Sequence, residues 1–391
     1  MATILTYLQQ NKDTSFTDLP LNELDILIIN EIGYLDFSKF LTDRFDLKGE
    51  IKLYHLWEDY QKRQKNQAVS YDFLLTKERI ELFRLMLSGK RFVDLCLEFY
   101  VNDISAEFEK QFSAMVFKLP QMDYKQLVFR GTDDSMIGWK EDFKLTYMRE
   151  IPAHRSAIVY LTEILNELSG PVIISGHSKG GNLAVYASTY VKAELQKKIA
   201  AVYMFDAPGL QASVLQSQGY QAIREKVHVL RPQEAIVGVM LDIDAEVKII
   251  ASSSFGIGQH KTTNWQADLA RDCLLPAKEG PTDLSVNLEK TFKKWTGELS
   301  SQELKRLFDT LFDTIITSGI SSLNDLSLDT ASGRKLANAV ASFRSIDSSK
   351  KVLLLKSARL FFLAFVGHTR LAAWEKPRLP LPDFLQHTEK D

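Results

Sequence analysis

Val172-Ile173-Ile174-Ser175-Gly176-His177-Ser178-Lys179-Gly180-Gly181-Asn182-Leu183-Ala184 is the stretch on which the fold turns. An apolar run ends in Gly-x-Ser-x-Gly, and a segment with helical periodicity follows. A strand, a sharp bend and a helix is the reading, and a serine at that bend has the context of a nucleophile elbow. So tight a turn admits only small residues beside the serine, which Gly176 and Gly180 supply; Gly181 lets the helix pack close to the strand. The Ser178 hydroxyl is expected to stand out from the carboxyl edge of a sheet. The Lys179 amide would then face a developing oxyanion at the helix N-terminus. The bland alternative is a glycine-rich bend on a scaffold without activity. A phosphate-binding loop does not fit, because Gly-x-x-x-x-Gly-Lys-Ser/Thr spacing is absent.

Working outward, two further apolar runs follow the elbow, Ala200-Ala201-Val202-Tyr203-Met204-Phe205 and Val227-His228-Val229-Leu230. A helical pattern from 182 to about 199 separates the first from the elbow strand. Uniformly apolar strands alternating with helices predict an α/β fold with a mostly parallel sheet covered on both faces. Upstream, 112–119 and 125–130 read as strands joined by Pro120-Gln121-Met122-Asp123-Tyr124, and Pro152 opens a helix to about 168. Downstream, Val247-Lys248-Ile249-Ile250-Ala251-Ser252 reads as a strand leading into Phe255-Gly256-Ile257-Gly258-Gln259-His260.

The ends of the chain read differently. Residues 1–110 are expected to be mainly helical, as in Asn22-Glu23-Leu24-Asp25-Ile26-Leu27-Ile28-Ile29 and in 76–87, which Ser88-Gly89 closes. Beyond about 276 the pattern is helical again, over 288–295, 302–316, 335–343 and 351–366. The division expected is an α/β-hydrolase-like domain over 1–275 and a helical extension over 276–391. Either set of helices is a candidate cap over the sheet edge.

Composition bounds the function. The chain has 391 residues, 45% hydrophobic and 25% charged, with net charge −2. It is long enough to bury a core without a metal or disulfide staple. Near-neutral charge leaves no footprint for nucleic acid. Cys96 and Cys273 read as reduced thiols, and no Cys/His cluster suggests zinc or another cofactor. The first residues lack a basic segment followed by an apolar one, and no run of about 18 uncharged apolar residues occurs, so a cytoplasmic setting is expected. Val352-Leu353-Leu354-Leu355 through Phe361-Phe362-Leu363-Ala364-Phe365 is the most apolar segment. It reads first as a core-packed helix, with contact to a membrane or an acyl chain left open.

A serine hydroxyl needs a base, and the base an orienting acid, in chain order Ser, acid, His. Four of seven histidines follow the next strand: His228, His260, His368 and His387. His228 alternates within a strand and reads as structural, while His368 and His387 fall in the helical C-terminal part. His260 follows a strand and a flexible Gly256-Ile257-Gly258 segment and is the expected base. For the acid, Asp206 comes directly after the strand beyond the elbow and is preferred, though it also suits a turn before Pro208-Gly209. Glu234, after the next strand, is the alternative. Asp242 and Asp244 are more distant candidates.

Several motifs in register carry a resemblance: Val128-Phe129-Arg130-Gly131-Thr132-Asp133-Asp134, Gly138-Trp139-Lys140-Glu141-Asp142-Phe143, Pro152-Ala153, the elbow, Phe205-Asp206-x-Pro208-Gly209, Pro232-Gln233-x-x-Ile236-Val237-Gly238 and Gln259-His260-x-x-x-x-Trp265. Over roughly 20–270 the chain resembles the bacterial lipase-3-like, or Mbeg-like, α/β-hydrolase proteins, relatives of the class 3 lipases. The resemblance implies that Thr132 supplies a second oxyanion donor through its amide, with its hydroxyl as a further option. Alternatively, or together with that role, Arg130 would fix this loop by pairing with a core carboxylate such as Asp142. The segment around Asp206 also looks like the Leu-Asp-Pro-Ala of pancreatic-type lipases, whose Asp is the triad acid, whereas class 3 lipases place that acid where this chain has Glu234. Lys179 departs from the apolar residue most lipases carry, and is expected to extend into solvent rather than to favour an anionic substrate. The function implied is a serine hydrolase of esterase or lipase type acting on a small-molecule ester, lipid or thioester. A silent scaffold used for binding, and a peptidase with the same triad, are the competing classes.

Overall fold

The computed structural model describes residues 1–39, 50–63, 76–105, 107–133, 135–320 and 347–375. The helix expected at 335–343, Asp134, His387 and the side chain of His368 lie outside the described residues. Eight strands, β1 (Ile51–Lys52), β2 (Cys96–Ser105), β3 (Lys110–Leu119), β4 (Tyr124–Phe129), β5 (Val172–His177), β6 (Ile199–Phe205), β7 (Val227–Pro232) and β8 (Val247–Ile250), form one sheet in chain order. β1 to β4 pair antiparallel and β4 to β8 parallel. This is an α/β-hydrolase-like sheet with helices on both faces, as the apolar strand runs predict.

Chain order dictates how those faces are covered. Parallel crossovers are right-handed almost without exception, so successive steps in one direction drop their helices on one face. α6 (Pro152–Glu167) and α7 (Lys179–Tyr190) accordingly pack together on one side, burying Leu161, Ile164, Leu183 and Ala187 against Val116, Leu127 and Val202. The opposite face needs a separate cover. α1 (Ile4–Asn11), α2 (Glu23–Ile32), α3 (Leu53–Arg63) and α4 (Lys77–Leu87) supply it, burying Tyr7, Leu27, Leu56 and Phe83 with Phe117, Val128, Phe205 and Leu230. The described N-terminal helices therefore line a face of the sheet.

Two boundaries differ from the sequence reading. Residues 1–110 are not all helical: β2 is a ten-residue strand paired with β3 across a bulge between Glu98 and Val101. Its outer half, 101–105, is exposed or half-buried and carries Asn102 and Asp103 between Val101 and Ile104, so it lacks the apolar run that marks the buried strands. The helical stretch expected to about 199 is broken: the helix after the elbow stops at Tyr190, a short helix follows at Ala193–Gln196, and Ile199 beside Val172 starts β6.

The C-terminal helices Asp283–Gly297, Ser301–Thr317 and Ser348–Glu375 build a small core of their own. Trp295, Leu307, Phe308 and Phe312 gather on Trp139 and Phe143 of α5 (Met136–Lys144), with the Phe143 and Phe308 rings 4.6 Å apart. Ser285 Oγ donates to Ala235 O (3.0 Å) and Thr282 N to Gln233 O (3.0 Å). These helices thus dock on the segments leaving the carboxyl ends of β4 and β7. Their most apolar stretch packs through Leu353, Leu354, Leu360 and Phe361, while Val352, Leu355, Phe362 and Leu363 are exposed. No helix among the described residues is long and apolar enough to cross a membrane. At the other end of the chain, Ala2 O accepts from Ala267 N at 2.9 Å, and Thr3 bridges Gln266.

Candidate functional site

β5 ends at His177, and Ser178 turns the chain with φ 56° and ψ −134° before α7 begins at Lys179. A non-glycine residue in that conformation is strained and persists only where its surroundings over-determine it. The turn closes on itself: a Cβ at Gly176 would collide with the Gly180 backbone, and one at Gly180 with Phe129 O. Ser178 N donates to Phe205 O (3.0 Å), which ties the bend to β6.

Asp206 follows β6 directly and is itself at positive φ, 37°. Its side chain is 1% exposed; Oδ1 accepts from Gly238 N (3.0 Å) and Oδ2 from His260 Nδ1 (2.6 Å). The structure thus brings together the two residues that sequence reading paired. Glu234, the alternative acid, instead holds the loop: it accepts from Gly256 N and from Gln259 Nε2 (3.1 Å), while its own amide donates to Gln259 Oε1 (3.0 Å). Buried Trp265 completes the clamp, Nε1 donating to Gln259 O at 2.8 Å. His228 is elsewhere, stacked on Tyr203 at 4.7 Å, and Asp242 and Asp244 pair with Lys293 and Arg224.

His260 meets the elbow through His177. The two rings lie 4.5 Å apart, and His177 Nε2 is 2.8 Å from His260 O. Since that carbonyl can only accept, Nε2 carries the proton, and His177 Nδ1 accepts from Tyr34 Oη at 2.8 Å. Burial, then the neighbouring His260, hold His177 well below the usual imidazole range, so it stays neutral. Among the described residues, Ser178 Oγ and His260 are not joined by a hydrogen bond; Asp206 and the clamped loop orient the imidazole, with the His177 ring beside it.

Lys179 does not extend into solvent; it is completely buried. Its Nζ donates to Gln111 O (2.9 Å), Gln111 Oε1 (2.6 Å) and Glu141 Oε2 (2.9 Å), with Asp142 Oδ1 3.7 Å away. An ammonium has three donors, and all are used. Burial alone would push it down, but Glu141 and then Asp142 outweigh that and hold it above its ordinary range. Burial raises Asp142 to about 6 against the pull of Lys179. Arg130 does not pair with Asp142 as expected; its guanidinium donates to Asn102 Oδ1 (2.8 Å), and Lys179 occupies the place of cation. Thr132 donates its hydroxyl to Asp142, so that hydroxyl is already engaged, whereas its amide meets no acceptor among the described residues.

Beyond the elbow, His154 joins α6 to α7. Nδ1 accepts from Ile151 N (3.2 Å), Nε2 lies 2.7 Å from Asn182 Oδ1, and the ring stacks on Tyr186 at 3.6 Å. Burial pushes it to about 4. Sequence reading did not assign roles to Tyr34, Gln111 and Glu141. Only Glu141 left a signal, since a cation at the start of a buried helix requires an acid within reach.

Among the described residues no cluster of His, Cys, Asp or Glu is suited to a metal ion. Cys96 is buried and Cys273 half-buried, both free thiols.

Comparison with solved structures finds, among others, three lipases at low similarity. M37 lipase is 15% identical over 55% of this chain and 68% of its own, with TM-score 0.34. The Rhizomucor miehei lipase–propeptide complex is 14% identical over 59% and 68%, with TM-score 0.34. A fungal lipase–inhibitor complex is 10% identical over 68% and 96%, with TM-score 0.36. No curated protein matches the chain. The family model for Mbeg1-like proteins matches residues 86–313. That span is more than half of the chain and holds the elbow, Asp206, His260 and the Lys179 cluster, and it identifies the protein as a member of the Mbeg1-like family.

Proposed function

We propose that this protein is a serine hydrolase that cleaves a carboxylic ester or thioester through an acyl-enzyme on Ser178. The observation that carries the reading is the 2.6 Å bond between His260 Nδ1 and Asp206 Oδ2, next to a serine held at φ 56° on the sheet's carboxyl edge. With Nδ1–H committed to Asp206, the neutral ring keeps its lone pair on Nε2, the atom that would take the serine proton.

Ser178 Oγ attacks the substrate carbonyl while its proton passes to His260 Nε2. The amides of Lys179 and Thr132 hold the negative oxygen that forms. A helix's first amide has no acceptor within the helix, and the Thr132 amide is open among the described residues, so both suit that task. Collapse returns the carbonyl and breaks the bond to the leaving alcohol or thiol, which takes the proton from His260. Water, deprotonated by the same imidazole, then releases the acid and regenerates Ser178. No cofactor is needed for any step. The C-terminal helices, docked on the connections after β4 and β7, are proposed to limit access to the serine. Two free thiols suit a reducing, cytoplasmic setting.

A second reading has one observation in its favour. Ser178 and His260 are not hydrogen-bonded here, as a silent scaffold used for binding would have it. A fluorophosphonate probe decides between them. The wild type should label and hydrolyse short p-nitrophenyl esters, and Ser178→Ala should do neither. Labelling that survives Ser178→Ala removes Ser178 as nucleophile, and an unlabelled wild type favours the scaffold. A panel of esters of increasing acyl length then sets the substrate class.

A further inference from the structure

Lys179 has two parts that point to one task. Its amide opens α7 directly after the serine, while its side chain reaches back beneath the segment that carries Thr132. Two independent links run from the ammonium to that segment. Through Gln111, whose Oε1 accepts from Nζ at 2.6 Å, the chain of contacts continues from Gln111 Nε2 to Gly131 O at 3.4 Å. Through Asp142, 3.7 Å from Nζ, it continues to the Thr132 hydroxyl. Glu141 anchors the whole: Oε2 accepts from Lys179 and from Gln111 N (3.0 Å), and Oε1 from Ala153 N (2.9 Å) at the start of α6. Lys179 and Glu141 are both fully buried, so neither can trade these bonds for water.

We propose that Lys179 is the positioning residue of the oxyanion site, its buried ammonium fixing the distance between its own amide and the amide of Thr132 through Gln111, Glu141 and Asp142. The inference rests on the hydrolase reading above. A lipase with an apolar residue after the serine must fix that distance by packing; here a charge cluster does it. Because a transition-state oxyanion needs both donors at once, a shift of either one lowers turnover while leaving ground-state binding nearly intact.

The test is the kinetics of a p-nitrophenyl ester, with folding checked by urea midpoint. Lys179→Met with Glu141→Gln removes the fully buried pair together and leaves Asp142 as the carboxyl that loses its cation. This double variant should fold, lose about a hundredfold in kcat, and keep KM within about threefold. Asp142→Ala, which releases the Thr132 hydroxyl, should lose about tenfold in kcat. Asp142→Asn should recover most of that loss, since its amide oxygen can still accept from Thr132. A folded double variant with wild-type kcat overturns the proposal. So does Asp142→Asn as slow as Asp142→Ala, which would make the effect one of charge and not of placement. Should the double variant fail to fold, the Asp142 pair decides. A wild type that neither labels with fluorophosphonate nor turns over instead removes the hydrolase reading, a different result from labelled wild type and unaffected variants.

Discussion

The residues on either side of Ser178 are both buried, yet they are held by opposite chemistry. His177 is neutral, bonded between Tyr34 and the His260 carbonyl, and belongs to the flank that carries the imidazole. Lys179 is charged, surrounded by Glu141, Asp142 and Gln111, and belongs to the flank that carries Thr132. A neutral flank tolerates an approximate fit better, because a lost neutral hydrogen bond costs about 1–3 kcal/mol where a stranded buried charge costs about 3–5 kcal/mol. A charged buried cluster tolerates none, because removing one partner strands the others. The difference teaches that rigidity is concentrated on the side where an oxyanion would form, while the side that would move protons has softer attachments.

The largest effect that would sharpen this comparison lies at the far end of the neutral flank. Asp206→Asn should lower kcat by about three to four orders of magnitude, since the imidazole loses its oriented tautomer. Glu234→Gln should lower it far less, because Glu234 holds the loop and not the ring. Steady-state ester kinetics of both variants check this; equal losses would return Glu234 to candidacy as the acid.

On the charged flank, Lys179→Met alone should destabilise the fold by about 3–5 kcal/mol, the usual consequence of breaking a buried ion pair. Adding Glu141→Gln should restore more than half of that in urea unfolding. A single variant as stable as wild type would show that the cluster is not rigid, and the contrast between the flanks would collapse.

Acid probes the same contrast. A buried histidine whose folded pKa lies below its unfolded value leaves the unfolded chain holding more protons as pH drops. For His154, at about 4 against an ordinary 6.5, the stability it contributes is complete above 6.5 and lost progressively down to about 4. The loss should be on the order of 3 kcal/mol. His177 acts in the same direction. Asp142, raised to about 6, acts oppositely, since folding takes up its proton between about 6 and 4. His154→Gln should therefore flatten the acid limb of a plot of urea midpoint against pH; an unchanged slope would assign it elsewhere.

The smallest effect belongs to His177→Gln. Its amide can still donate to the His260 carbonyl, so about 1 kcal/mol is expected. A loss matching that of Lys179→Met would invert the comparison.

How much of this was legible beforehand depended on the range of the interactions. The elbow, its strand and its helix could be read because Gly176, Ser178 and Gly180 act within one turn. The pairing of Asp206 with His260 could be anticipated because both follow strands at one edge of a parallel sheet. The fate of Lys179 could not, since its acceptors sit at 111, 141 and 142, on a strand and a helix whose approach depends on the packed fold. β2 was missed for a related reason: half of it faces outward, and its pattern carries little of the core.

The link between residues 2–3 and 266–267 has a consequence for how the molecule is made. Ala2 and Thr3 pair with residues made some 260 positions later, only a few beyond His260. Contacts so far apart in sequence are closed slowly. The elbow can take shape once β6 is made, but the clamp on the loop bearing the imidazole needs Trp265, whose neighbours Gln266 and Ala267 pair with Thr3 and Ala2. A nascent chain arrested before about residue 265 should therefore hold a formed serine turn and no assembled pair, which would keep a hydrolytic centre silent until synthesis has passed that point.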